Sequence, residues 1–289
     1  MNIALTGSSG IIGSKLLTDL KEMGHNVICI SSSTSNLKEN IYSYEELELI
    51  DLNFKIDCLM HLASINSNLL ESQVSHELEL LKKVMLIMKK IECNHLIFFS
   101  TIKVYGENSF IFEEIDENSL LKPECFYGKA KKQCEEIIAQ YAKVDSFNYL
   151  ILRIPPILVN NPKSNIGTLF RIVEKGLPIP SFHLGNKNQR SFLSYDLLIH
   201  VLRIICDDFY KIKNMTLNIS DSKPISTNEL YLKIGKSLNK RVRIFYLPDI
   251  LFQLMIRINR LQLICERLFG NFYVSNAKLK KEFKIPDNF

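Results

Sequence analysis

Asn2-Ile3-Ala4-Leu5-Thr6-Gly7-Ser8-Ser9-Gly10-Ile11-Ile12-Gly13 opens the chain, and this stretch decides the reading of the fold. The short apolar run before Thr6 predicts a strand over 2–6, and the spacing from Ile11 onward predicts a helix over 11–23. Three glycines fall between the two. Alone they would suit any turn, but at a strand-turn-helix junction they stand where a dinucleotide diphosphate meets a helix N-terminus. Gly7 permits the tight turn, Gly10 lets the backbone approach phosphate, and Gly13 lets helix and sheet pack closely, while the helix dipole favours an anion. Ser9, Ile11 and Ile12 are counted with them as cofactor-binding residues.

Outward from this start, strands are predicted at 26–30, 57–62, 95–100 and 148–154, separated by a long helix near 68–92 and another over 127–142. Runs such as Leu96-Ile97-Phe98-Phe99 lack the alternation of a half-exposed strand, which suits a parallel sheet covered on both faces. The fold class is therefore α/β, a Rossmann-type doubly wound parallel sheet with ligands at the carboxyl ends of its strands. Pro155-Pro156 breaks the pattern, so residues 1–155 are read as the dinucleotide-binding domain. Residues 156–289 are read mainly as a smaller C-terminal substrate lobe, with segments returning to the sheet. Residues 248–270 have helical apolar spacing interspersed with Arg257, Arg260 and Arg267, expected to pack on the body or a second subunit rather than on a membrane.

Composition narrows the class. The 289 residues are 46% hydrophobic and 23% charged, an ordinary globular balance with neither repeats nor low complexity. A net charge of +5, with lysines dispersed and no interleaved aromatic residues, makes nucleic acid a poor partner. Seven cysteines, odd in number, spread out and without a C-x-x-C pair, read as reduced thiols of a cytoplasmic protein. No signal-like start and no run of about 18 apolar residues is present, so neither export nor an integral membrane segment is expected. No His/Cys/Asp/Glu spacing suggests a metal; His183 and His200 stand isolated.

The glycine spacing is T-G-x-x-G-x-x-G, and with later motifs in the same order the chain resembles the extended short-chain dehydrogenase/reductases, the NAD-dependent epimerase/dehydratase family. Asp57-Cys58-Leu59-Met60-His61-Leu62-Ala63 resembles the strand beside the cofactor, Ser100-Thr101-Ile102-Lys103-Val104-Tyr105-Gly106 the catalytic Ser/Thr loop, and Tyr127-Gly128-Lys129-Ala130-Lys131 the Y-x-x-x-K pair. Leu152-Arg153-Ile154-Pro155-Pro156, Gln189-Arg190-Ser191-Phe192 and Ser275-Asn276-Ala277-Lys278-Leu279 carry the likeness through the later part.

Tyr127 and Lys131 are one helical turn apart, so on a helix they point the same way. An exposed Tyr-Lys pair is the ordinary meaning of that spacing; its place after the glycine turn and the Ser-Thr strand end makes it catalytic. A free tyrosine, with a pKa of about 10, is a poor base, but a nearby ammonium and an oxidised nicotinamide favour its phenolate. The resemblance implies that Tyr127 exchanges a proton with a sugar oxygen, Thr101 hydrogen-bonds that oxygen, and Lys131 holds the nicotinamide ribose. Leu62, Ala63 and Ile154 join the cofactor set by the same likeness. Cys125, two residues before Tyr127, lacks a paired base and is a weak nucleophile candidate.

The second strand ends in Ser31-Ser32-Ser33, where an NAD enzyme of this type usually has an acid for the ribose hydroxyl. Ser31 does not repel a 2′-phosphate, so NADP(H) is favoured and NAD(H) remains open; only Lys38 is near, and Asp51 is a loop candidate. For substrate, Arg190 matches an arginine that binds the diphosphate of a nucleotide-sugar, a task that suits a guanidinium, against the alternative of a plain surface arginine. Lys103, Asn165 and Lys163 fall at or near the implied substrate loops. Ile102 and Lys103 occupy the positions of the acid pair that sugar 4,6-dehydratases need, so dehydration is not expected. Lys175-Gly176-Leu177-Pro178 and Leu268-Phe269-Gly270-Asn271 resemble bacterial surface-polysaccharide enzymes that reduce UDP-4-keto-6-deoxy-N-acetylhexosamines. The implied activity is that 4-keto reduction, with a UDP-sugar 4-epimerase holding NAD as the alternative and a non-catalytic NADP sensor third. A homodimer through the 68–92 and 127–142 helices is implied as well.

Overall fold

The strand that begins the chain ends in the middle of the sheet. In the computed structural model, which describes residues 1–31, 41–49, 53–64, 69–107, 109–162, 164–211 and 213–285, β1 (Asn2–Thr6) is flanked on both sides by parallel neighbours. Ser32, Ser33, Lys38, Asp51 and Lys163 lie outside the described residues. From β1 the chain runs through α1 (Ile11–Glu22), β2 (Asn26–Ser31), β3 (Ile41–Ser43) and α2 (Tyr44–Leu49) to one edge. It then returns through β4 (Cys58–His61), α3 (Val74–Lys90), β5 (His95–Thr101), the short β6 (Glu114–Ile115), α4 (Phe126–Asp145) and β7 (Asn148–Ile154). After α5 (Asn165–Glu174), β8 (Ile179–Ser181) and α6 (Tyr195–Asp207), β9 (Met215–Asn218) closes the sheet in the order β3-β2-β1-β4-β5-β7-β9. The order reverses at β1, so β1 and β4 bound the crevice where such sheets bind ligands.

Both faces of the sheet are covered, which is why its strands read as continuous apolar runs. Ile3, Leu5, Ile97 and Phe99 point into one layer with α1, α6 and α10 (Ala277–Phe283), while Ala4, Leu96 and Phe98 point into another with α3 and α4. Chain beyond Pro156 thus returns to the sheet as β9, α6 and α10. The rest of it forms a smaller core around Ile166, Phe170, Leu230 and Tyr231, built from α5 and α7 (Thr227–Ser237), with β10 (Ile244–Tyr246) pairing β8.

The 248–270 segment divides at an extended Ile258 into α8 (Asp249–Met255) and α9 (Asn259–Phe269). Phe252, Cys265 and Phe269 dock on Phe182, leaving Ile250 and Leu263 outward, and β11 (Tyr273–Val274) then pairs β6. Among the described residues, no helix is long and apolar enough to cross a membrane.

Candidate active site

The glycine turn has the geometry of a phosphate cradle. Gly7 has φ +76°, and a Cβ on it would stand 2.7 Å from the Ala63 amide, so only glycine lets this turn lie against the end of β4. A Cβ on Gly13 would come within 2.1 Å of the Gly7 carbonyl. Gly10 is different: it is exposed, a Cβ there would meet only the Gly7 carbonyl at 3.3 Å, and as N-cap it makes no side-chain bond to the first turn of α1. The N–H groups of that turn therefore face open space beside exposed Ser9 and Ile11, a shape and polarity that fit a diphosphate. Ile12, Leu62 and Ala63 are half-buried around it, and Ser31 is half-buried at the end of β2. The turn is braced from beneath, where the Thr6 hydroxyl accepts the Ala63 N–H at 3.1 Å and bonds His61 Nδ1 at 2.6 Å. Burial first, and the Lys131 charge second, push the His61 imidazole down to about 3, so it serves as a neutral hydrogen-bonding ring.

Thr101 and Ile154 end neighbouring strands and are register partners. Thr101 caps a 3-10 turn by accepting the Lys103 N–H at 3.3 Å, which leaves its hydroxyl proton available to the cleft. The start of α4 docks on this turn at Gly128, where a Cβ would lie 2.5 Å from the Lys103 carbonyl. Cys125 is the N-cap of that helix, its sulfur accepting the Gly128 N–H at 3.4 Å. Burial pushes the thiol up, which agrees with its weak standing as a nucleophile, and Cys125 serves as a helix cap.

Lys131 falls on the inward face of α4 with Ala130, Cys134 and Ile138, and is 1% exposed. Its Nζ meets Glu77 Oε1 of α3 at 3.0 Å and stands 4.6 Å from the Phe98 ring centre and 5.8 Å from that of Tyr127. The Tyr127 phenol is pushed up rather than down: burial outweighs the pull of Lys131, and Glu77 reinforces burial. Burial alone would lower Lys131, but the fields of Tyr127 and Glu77 raise it.

Thr101, Lys103, Tyr127, Ile154, Asn165 and Arg190 all line one cleft of about 460 Å³ that also contains Ile12. Ser164 caps α5 by accepting the Gly167 N–H at 3.0 Å and so presents Asn165 at the cleft. The remaining cofactor-set residues lie outside that lining, at the ends of β1, β2 and β4 and, for Lys131, behind Tyr127.

Arg190 is held by its backbone between Ile225 and Phe272, and one guanidinium nitrogen donates to the Arg267 carbonyl at 2.5 Å. No carboxylate forms an ion pair with it among the described residues. Burial pulls its guanidinium down to about 10 against the opposing fields of Tyr231 and Glu107. Cleft-lining Glu107 and Arg267 carried no signal in the sequence; Glu107 Oε1 is buried with no hydrogen-bond partner.

A polar network fixes the strand ends that carry the site. Arg153 donates to both oxygens of Glu135 at 3.2 Å through Nε, and at 2.8 Å to the Tyr105 hydroxyl, which donates to Asn218 at 2.8 Å. Ser100, beside Thr101, donates to the same Glu135. Three strands and α4 are thereby tied at one level, a rigid base for groups that must be placed to within a fraction of an ångström. Among the described residues, no group of three or more His, Cys, Asp or Glu side chains is arranged to hold a metal.

The sequence model of the NAD dependent epimerase/dehydratase family matches residues 3–219. The UDP-glucose 4-epimerase of Vibrio cholerae is 26% identical over 298 residues, an alignment covering 97% of this chain and 89% of that protein. Among solved structures, the UDP-N-acetylglucosamine 4-epimerase from Bacillus cereus superposes with a TM-score of 0.76 at 17% identity, covering 100% of this chain and 94% of that one. The UDP-glucuronic acid 4-epimerase from Bacillus cereus in complex with NAD gives 0.74 at 20% identity, with the same coverage. At these identities the structural likeness is one of fold.

Proposed function

Because the chain belongs to the NAD dependent epimerase/dehydratase family, as an NAD-dependent enzyme, we propose that it interconverts the C4 epimers of a UDP-sugar. The observation that carries this reading is a single cleft lined by a hydroxyl pair suited to proton exchange, Thr101 and Tyr127, and by a cation that forms no carboxylate ion pair among the described residues, Arg190. Arg190 takes the substrate diphosphate; its depressed guanidinium gains there a direct anion contact that no carboxylate among the described residues provides. Thr101 donates to the sugar's C4 oxygen, and Tyr127 moves the proton of that oxygen. The glycine turn, with Leu62, Ala63 and Ile154 around it and Lys131 behind Tyr127, would hold NAD, which supplies hydride exchange at C4 when bound. The names of the relatives, 4-epimerases of UDP-sugars, support this reading over reduction, and the relative solved with NAD supports that cofactor.

A second reading, 4-keto reduction of a UDP-4-keto-6-deoxy-N-acetylhexosamine with NADP(H), is favoured by one observation: β2 ends in Ser31, a neutral side chain. Dehydration is disfavoured on either reading, since Ile102 is a buried hydrocarbon where an acid would be needed. A cytoplasmic location goes with both, because seven unpaired cysteines, six of them buried, suit a reducing compartment. So does a homodimer through α3 and α4, whose outward Leu86, Tyr141 and Val144 are exposed; only monomer in light scattering would remove it.

The deciding experiment follows UDP-sugars by NMR with purified protein. Interconversion of C4 epimers without added reductant supports the first reading. NADPH consumption with a UDP-4-keto sugar, and no interconversion, replaces it with the second.

A further inference from the structure

The segment 248–270 packs on the body with one side only. Phe252, Cys265 and Phe269 fill the core around Phe182, whereas Ile250, Leu251, Leu254, Ile258, Leu263 and Ile264 are each at least 38% exposed. Six large apolar side chains are thus left in water within fifteen residues, on two helices that pack against each other. Apolar surface gathered in this way marks an interaction site.

On α9 the pattern is regular. Arg260, Leu263, Ile264 and Arg267 recur at i, i+3, i+4 and i+7, and all four are exposed while Cys265 and Phe269 face inward. Arginine therefore brackets the apolar pair one turn to either side, where its stem can lie along hydrocarbon and its guanidinium stay in a polar layer. Ile258 stands at the extended break between α8 and α9, and Arg257 beside it is exposed as well.

Charge says what covers this face. Lysines are dispersed along the chain, but five of its nine arginines fall in residues 236–267. With Lys236 and Lys240 they stand against Asp249 and Glu266, a balance of +5 that equals the net charge of the whole protein. Lys236, Lys240, Arg241, Arg243, Arg257 and Arg260 are exposed, and none of them forms an ion pair among the described residues. A second copy docked here about a two-fold axis would set arginine against arginine. Nucleic acid would answer the charge but not the aliphatic side chains, since exposed bases ask for aromatic platforms. An anionic lipid surface answers both, phosphate to the guanidinium groups and acyl chain to the aliphatic ones.

We propose that the α8–α9 face docks this protein on the surface of a bilayer that contains anionic phospholipid, with Arg257 and Arg260 at headgroup depth and Ile250, Leu254 and Leu263 in the outer acyl region. The protein lies on the membrane without spanning it. Arg267, the last member of the stripe, also lines the cleft, so docking holds the mouth of the cleft beside the bilayer. The proposal is independent of whether the cleft epimerises or reduces its sugar.

The test floats the full chain with vesicles of phosphatidylcholine alone and of phosphatidylcholine with about 30% phosphatidylglycerol, at about 0.1 M and about 0.5 M salt. Binding is expected to the anionic vesicles only, and to fall at the higher salt. Arg257→Gln/Arg260→Gln should weaken it by about tenfold or more, and Ile250→Gln/Leu254→Gln/Leu263→Gln should abolish flotation. All five side chains are exposed and outside the lining of the cleft, so both variants should keep the wild-type far-UV circular dichroism. No binding of the wild type to anionic vesicles, equal binding to neutral ones, or undiminished binding by both variants overturns the proposal. So does light scattering in which the triple variant turns a wild-type dimer into monomer, which assigns the face to a second copy. Wild type that binds a single-stranded RNA and leaves the vesicles assigns it to nucleic acid instead. None of these readings needs turnover, so they stand apart from the assignment of the cleft.

Discussion

Lys131, fully buried, and Arg190, half-buried at the cleft, are cations near one site, and the chain treats them differently. Lys131 has a carboxylate at 3.0 Å and is pushed up; Arg190 has no carboxylate ion pair among the described residues and is pulled down to about 10. A charge answered inside the fold belongs to the architecture, since removing either member strands the other. A charge left unanswered in a cleft is a standing cost that a ligand anion relieves. On the proposed reading the same sign of charge does two jobs: Lys131 supports the tyrosine assigned to proton exchange, and Arg190 is the group assigned to receive substrate.

The sharpest test of the lysine side is Tyr127→Phe, which keeps the ring and removes the proton. Turnover is expected to fall by about 10³-fold or more, with dinucleotide binding measured by calorimetry nearly unchanged; comparable loss of both would mean that Tyr127 acts in binding.

Lys131→Met should then separate the two cations by stability. It leaves Glu77 buried and unpaired, and denaturant unfolding should show a loss of about 3 kcal/mol or more. Arg190→Leu should show no such loss, because it removes an unanswered charge. Its effect belongs to the ligand: affinity for UDP should fall tenfold to a hundredfold, about 1.5–3 kcal/mol for hydrogen bonds to a charged group. A stability loss in Arg190→Leu that matches Lys131→Met would erase the distinction.

The smallest expected effect is at the far end of the cofactor crevice. Ser31→Asp adds a carboxylate at the end of β2 and should shift preference toward NAD over NADP by about threefold to tenfold, the size of a solvent-screened repulsion of about 1 kcal/mol. No shift in the ratio of dissociation constants would mean that Ser31 does not face the adenosine ribose.

How much of this was legible in the sequence depends on the range of the interaction. Gly7, Gly10 and Gly13 act within one turn of chain, so together with the apolar patterns on either side they predicted the junction where β1 meets α1. The spacing of Tyr127 and Lys131 is likewise local, and α4 runs from Phe126 to Asp145 around it. Glu77 was illegible for the opposite reason. In the run Ser75-His76-Glu77-Leu78-Glu79 it looks like any solvated acid of a charged helix, and only α4 packing on α3 takes it out of water. Gly128 carries no signal of its own inside Y-x-x-x-K, because the Lys103 carbonyl, 2.5 Å from where its Cβ would be, reaches it only when α4 docks on the turn after β5. The single helical pattern over 248–270 hid a break at Ile258, because apolar periodicity does not reveal where a chain must turn to bring Phe252 and Phe269 onto the same Phe182.

By itself, then, the sequence determined the layered parallel sheet, the glycine turn at its first crossover and the tyrosine-lysine pair, all features written in local periodicity and spacing. The tertiary structure decided which charges are buried, which of them are paired and which face the cleft, because burial and ion pairing arise between elements far apart along the chain. Fields between charges depend on distance and on exclusion of water, and neither exists until the helices have packed.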